Sequence, residues 1–510
     1  MMNRREHMLA LGTLAVLAPW QVRAAGSRSE PFSWGLLVAR ARSLARKPYQ
    51  PVQPRTHSHA IDYDAVSQIS YRADKTLLPD DDGKGGIRLF PLSRYAQTPI
   101  ELALVSDGRA TPFSYNPSLF EAQGQDVATL LAENDGFAGF RAMNSASVGD
   151  WLAYQGASYF RSAGPLNQYG LSARGLAINT SVPGVSEEFP AFTHFWLERG
   201  PDQSLIVHAL LDGPSITGAY RFVNRKLDGA VTQDVTQALF LRKDIQQLGI
   251  APLTSMFWYS EGNREKGRDW RPEIHDSDGL AMFTGAGERI WRPLVNPPRA
   301  ATSSFSDNGP RAFGLLQRDR AFDHYQDDGV FYEKRPSLWI EPKGDWGKGA
   351  VTLFEIPTER EIDDNIVAFW VPAKPARAGA RFDYAYRMNW IGDEPQPIDV
   401  ARAIDVWTGT AGRPGHEPTA NARKIVADFV GGNLASYTQR GQVAPGLNVS
   451  GGKILEAHCY PVEGMPGRWR LTADVGKDSA DTTDVRAFLK AGNTSLTETL
   501  IYQLHWLDGR

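Results

Sequence analysis

Acidic side chains crowd at two places in the chain. In "RPEIHDSDGLAMF" (271–283), Glu273, His275, Asp276 and Asp278 fall within six positions, and in "EREIDDNIV" (359–367), Glu359, Glu361, Asp363 and Asp364 precede an apolar run. Paired carboxylates can divide an acid/base reaction, one donating a proton while the other activates water, as in glycoside hydrolysis. Crowded carboxylates also repel one another, which raises the pKa of at least one and suits it to act as a general acid near neutral pH. Without any chemistry, the same stretches read as solvated loops whose aspartates bond backbone amides. A calcium loop is excluded by spacing, because Gly279 stands fourth when Asp276 is counted first, where an EF-hand needs its Gly sixth. One His among scattered carboxylates matches no transition-metal ligand spacing. No metal and no cofactor are expected. Asp278 reads as a turn-holding residue, and His275 as either a hydrogen-bonded support or a ligand contact.

Aromatic and cationic residues share this part of the chain. Trp258, Tyr259, Trp270, Trp291, Tyr332, Trp339 and Trp346 could stack on the C–H faces of a sugar, while Arg268, Arg271, Arg292, Arg335 and Lys348 could reach its hydroxyls. Alternation along "SLWIEP" places Trp339 in the core, whereas Trp270, Tyr332 and Trp346 sit beside turn residues and are cleft candidates. The mixed charges of "QRDRAFDHYQDD" (317–328) read as a surface salt-bridge lattice.

The elements that must position these groups read as strands. Short β-rich runs at 86–92, 192–198, 204–211, 218–224, 350–356 and 365–371 are bounded by turn residues, which points to an all-β chain of sandwich or barrel type. Helical periodicity is confined to 119–134 and 234–249. The Pro- and acid-rich stretch at 391–405 reads as a linker. It separates a large β-sandwich over 25–390 from a small immunoglobulin-like sandwich over 406–510.

Charge and leader narrow the class. The formal charge is −3, and removing the three Arg and one Glu of residues 1–24 takes it to −5, a balance that gives no support for nucleic acid or anionic membrane as a partner. Residues 1–24 have a basic start, an apolar run too short to span a bilayer, and "VRA" before the cleavage point: a signal peptide. Arg4–Arg5 gives it a twin-arginine look, with standard secretory export as the alternative. The lone Cys459 forms no internal disulfide and reads as a structural thiol, with His458 on the opposite face of its strand.

The strings "TSMFWYSEGNREKGRDWRPEIHDSDGL", "ERIWRPLVNPP", "GPRAFGLLQRDRAFDHYQD" and "KRPSLWIEPKGDWGKGAVTLFEIPTEREIDDNIVAFW" closely resemble the periplasmic glucan biosynthesis family of G and D type, leaning to the D branch. The similarity runs in order from about residue 30 to the C-terminus. It implies a galactose-mutarotase-like β-sandwich followed by an immunoglobulin-like domain, in a periplasmic protein acting on β-1,2-glucan. By that resemblance Asp276 matches a general base and Asp364 a general acid, while Glu361 and Tyr332 match positions lining the glucan site. The implied activity is internal, inverting hydrolysis or a cyclising transglycosylation. A non-catalytic role in glucan synthesis is the remaining reading. The resemblance further implies a homodimer and a functional link to an inner-membrane glucosyltransferase. One departure stands out: Asn421 occupies a position where hydrolytic relatives of this branch carry an aromatic residue.

Overall fold

The computed structural model describes residues 29–81, 83, 85–145, 149–395, 400–478 and 480–506. The signal peptide expected at 1–24 lies outside them. The described fold is all-β with sandwich-type sheets, as the strand pattern implied. The chain divides into two compact units and passes between them at 253/254, 339/340, 350/351, 368/369 and 392/393. The last of these points adjoins the Pro- and acid-rich stretch, and the next strand begins at Ala401.

Unit 1 is built on an eight-strand run in the order Glu30–Pro31, Arg109–Phe113, Glu101–Ser106, Ala191–Arg199, Leu205–Asp212, Ile216–Leu227, Ala230–Leu241 and Arg381–Ile391. A second sheet joins Gly86–Pro91, Phe137–Met143, Asp150–Gln155, Tyr159–Ser162 and Ser172–Arg174, all antiparallel. The sheets meet through aromatic rings: Phe140 lies edge-on to Phe195 at 5.2 Å and Tyr154 to Phe222 at 5.4 Å. Such pairs add about 0.5–1.5 kcal/mol each beyond their burial. The buried Gln233 among them is satisfied, since it donates to Tyr154 and Asn224 and accepts from the Trp390 indole.

Two helical expectations fared differently. Part of 119–134 is helical, as Gln125–Ala132, but 234–249 is not, because Ala230–Leu241 is a strand paired on both sides. Its apolar residues serve a strand inside the sheet, and tertiary pairing overrides the weak helical period. A helix that the sequence reading missed, Trp34–Ala45, is capped by Ser33 and packs Leu37 and Ala41 against Trp196 and Ala219.

Unit 2 carries the acid-rich loops. One of its sheets runs Ala312–Leu316, Gly279–Phe283, Arg289–Pro293, Thr499–His505, Thr482–Ala491, Ala444–Ser450. The strand Thr499–His505 pairs with Arg289–Pro293 in parallel, with Ile290 opposite Thr499 and Trp291 opposite Leu500. A second, antiparallel sheet is ordered Ala401–Thr410, Ala422–Gly431, Arg468–Lys477, Gly452–Pro461. The Cys459 thiol is half-buried, donates to the Val443 carbonyl at 3.3 Å, and is pushed up to about 11 by burial, so it stays protonated and inert.

Candidate active site

The "HDSDG" segment is the step between two pairings. Ile274–His275 pairs with Phe257–Tyr259, and Gly279–Phe283 enters the larger sheet, so residues 276–278 connect the two. Gly279 is required here, because a Cβ would sit 2.4 Å from the Trp291 ring. Asp276 is fixed by its backbone N–H to the Met256 carbonyl at 2.8 Å, and its buried carboxylate accepts a charge-assisted bond from Arg335. Asp278 is bound into the turn on both sides. Its Oδ2 accepts from the backbone N–H groups of Arg318 and Asp319, and its own N–H and C=O bond Leu316 and Leu294.

His275 is fully buried between acceptors. Its Nδ1 lies 3.1 Å from Gln317 Oε1 and 3.5 Å from Asp278 Oδ1, and its Nε2 lies 3.0 Å from Glu273 Oε2. The Gln317 amide nitrogen is committed to the His275 carbonyl, Tyr325 and the Tyr332 carbonyl, which turns its oxygen to the ring. Both ring nitrogens therefore donate, as only an imidazolium can. Burial opposes that charge, but Asp278, then Glu273 and Asp319, outweigh it and push the imidazole up to about 9. His275 is a support and not an open ligand contact.

A continuous chain of contacts runs from this loop to the second. The Arg335 guanidinium that binds Asp276 lies over the Tyr332 ring at 4.0 Å, and the Tyr332 hydroxyl donates to Glu361 at 3.1 Å. Arg271 also binds Glu361, at 2.8 Å, and is itself held by Asp269 and Asp327. Asp364 is half-buried, three residues beyond Glu361. Next to it Asn365 bonds Phe257 through both its amide oxygen and its nitrogen, at 2.8 and 2.9 Å, which fixes the end of the loop. The other end is clamped by Asn296, which bonds the Thr358 N–H and carbonyl and the Trp258 carbonyl.

The expected crowding of like charges in "EREIDDN" is relieved in space. Arg360 takes Asp363 at 2.8 Å and Arg271 takes Glu361, so cations separate the acids that the linear sequence sets side by side.

Other candidates fall in different places. Trp270 is 71% exposed, an open aromatic face beside Arg271. Tyr332 is fully buried, so it acts through its hydroxyl and its contact with Arg335 and offers no open platform. Trp346 is not a cleft residue. It is 5% exposed in unit 1, packs on Trp370, Tyr384 and Tyr386, and donates its indole N–H to the Ala385 carbonyl. The glycines beside it turn the backbone without opening the ring to solvent. Lys348 is exposed at the start of a strand, also in unit 1. Trp339 is core, at 4% exposed.

The stretch 317–328 is no surface lattice. Gln317 supports His275, Asp327 supports Arg271, and Arg318 is buried on Glu394, Glu498 and the Ala403 carbonyl. These supporting residues were missed because every partner is distant in sequence, and alternating charge alone does not separate a lattice from a hub. Glu273, Asp319 and His324 bring potential ligand atoms within 4.8 Å of one another. Protein partners meet their charges: Asp319 bonds His324 at 2.5 Å and Glu273 bonds His275.

Against this geometry the comparisons are decisive. A family model described as "Periplasmic glucan biosynthesis protein, MdoG" matches residues 32–504. The chain belongs to this family. Among curated members of the periplasmic glucan biosynthesis family, it is 44% identical to "Glucans biosynthesis protein D 2" of Ralstonia nicotianae, covering 99% of this chain and 98% of that one. It is 44% identical to "Probable glucans biosynthesis protein D" of Shewanella oneidensis, over 98% and 95% of the two chains. It is 42% identical to "Glucans biosynthesis protein D" of Xanthomonas campestris, over 98% and 96%. Asn421 has a φ of 53°, in the left-handed region, which Asn enters at lower cost than an aromatic residue.

Proposed function

We infer that this protein is a periplasmic carbohydrate-active enzyme that cleaves β-1,2-glucan internally, with inversion. The observation carrying this reading is the contact chain Asp276–Arg335–Tyr332–Glu361, which ties the candidate base to the loop that bears the candidate acid. Asp364 gives its proton to the glycosidic oxygen as the bond to the anomeric carbon breaks. A water molecule attacks that carbon from the opposite face, and its proton passes to Asp276, directly or through a sugar hydroxyl. One water is consumed for each bond cut, and the new reducing end has inverted configuration. Arg335 holds the Asp276 carboxylate, Tyr332 and Glu361 tie it to the loop that bears Asp364, His275 and Asp278 stiffen the base loop, and exposed Trp270 supplies a stacking face.

The test compares wild type with Asp364→Asn on linear β-1,2-glucan, with products read by mass spectrometry. Loss of a general acid is expected to slow turnover by about 10²–10⁴-fold. Full activity in the variant would remove Asp364 from the mechanism, and tight glucan binding without turnover in the wild type would leave a binding factor instead. Products one water lighter than the linear chains would identify a sugar hydroxyl as the acceptor, making the protein a cyclising transglycosylase with the same acid.

A further inference from the structure

A cleft of about 1200 Å³ opens in unit 2 beside the loop that leads to Asp364. Among the described residues, its wall carries Lys266, Arg268, Arg423 and Lys477 against one acid, Glu359. That balance is opposite in sign to the whole chain, whose formal charge is −3. Among the described residues, no carboxylate pairs with Arg268, Arg423 or Lys477. Arg423 gives one N–H to the His505 carbonyl at 3.2 Å, a contact that does not neutralise its charge, and Lys266 gives one to the Asn296 carbonyl at 2.7 Å. Cations gathered in one cleft repel one another and focus a positive potential into it. Ammonium and guanidinium groups are donors only, so their natural complement is a group that only accepts.

The cleft is linked to the candidate site through shared segments. Lys266 and Arg268 face the cleft, while Arg271, a little further along the chain and itself held by Asp269, binds Glu361. Asn296, on the cleft wall, is the clamp between Trp258 and Thr358. Trp258 and Trp506 add flat apolar faces on which sugar rings can stack.

We propose that this cleft is a subsite for an oxyanion, a carboxylate or a phosphodiester, carried on the saccharide chain. The saccharide part rests on the glucan reading above; the charge preference rests on the cleft itself.

Calorimetry with three probes tests it: a neutral linear β-1,2-gluco-oligosaccharide, the same oligosaccharide carboxymethylated, and the same oligosaccharide bearing a phosphodiester. At low ionic strength, at least one charged probe is expected to bind about tenfold more tightly than the neutral one, and the arm that does so identifies the oxyanion. The ratio of charged to neutral affinity should fall toward one in half-molar salt (~0.5 M), where the Debye length shrinks to a few ångströms. It should fall likewise in the Arg268→Gln/Lys477→Gln double variant. Equal affinities at low salt, or a preference that survives both salt and the double variant, would overturn the subsite. The salt arm uses wild-type protein, so a poorly folding variant leaves the test intact. Binding of a charged probe without binding or cleavage of the neutral one would count against unsubstituted glucan as substrate while supporting the subsite.

Discussion

At the scale of the residue, the imidazolium of His275 makes stability depend on pH in a definite direction. An exposed histidine titrates near 6.5, and here the folded value is raised to about 9. The stabilisation from His275 is therefore full below about pH 6.5 and is lost as pH climbs through about 9, a loss on the order of 3 kcal/mol. Glu261 acts with the same sign: burial first, then the charge of Glu273, pushes it up to about 8, so it too stabilises the fold while protonated and ceases to as pH rises. Thermal unfolding should show a lower Tm at pH 9.5 than at pH 7, and His275→Gln should flatten part of that fall. A Tm that is level or rising across this interval would show that the ring is neutral in the folded protein.

At the scale of the element, the strand Lys348–Glu355 ends on a carboxylate with no exposure to solvent, immediately before the loop that carries Asp364. Glu355 bonds Arg292 at 2.9 Å and the Val295 N–H at 2.8 Å. Glu355→Ala should cost about 3–5 kcal/mol in urea unfolding, because it strands the buried Arg292 guanidinium. The double variant Glu355→Leu/Arg292→Met should cost clearly less, since it removes both charges; equal costs would mean that packing and not charge holds this strand end. Strands such as this one were legible in the sequence because alternating apolar residues between turn residues leave few other readings, and 350–356 matches Lys348–Glu355 closely. The helical reading of 234–249 failed because periodicity cannot register two flanking strands. In the site, the loops around Asp276 and Asp364 could be read from their acid content and family likeness. Gln317, Asp327 and Arg318 could not, since their roles exist only once segments far apart in sequence are brought together.

At the scale of the whole molecule, the C-terminal region is part of the frame that supports the loop carrying Asp276. Arg318 sends its backbone N–H to Asp278 and its guanidinium to Glu394 and Glu498, and lies 3.7 Å from the centre of the Trp291 ring. Trp291 in turn pairs with Leu500. Truncation before Thr482 should therefore yield an inactive protein with unit 2 unfolded, seen as lost near-ultraviolet circular dichroism and rapid proteolysis of residues 254–339. A truncated chain that kept full glucan-cleaving activity would show the region to be an appendage. The parallel pairing also imposes an order in time. Ile290 and Trp291 are synthesised well before Thr499 and Leu500 arrive to cover their edge. The sheet beside the Asp276 loop is closed by a strand that lies far downstream of the edge it covers, so a translating chain cannot complete this site in stages, and until that strand is made the open edge must be kept from pairing with other chains.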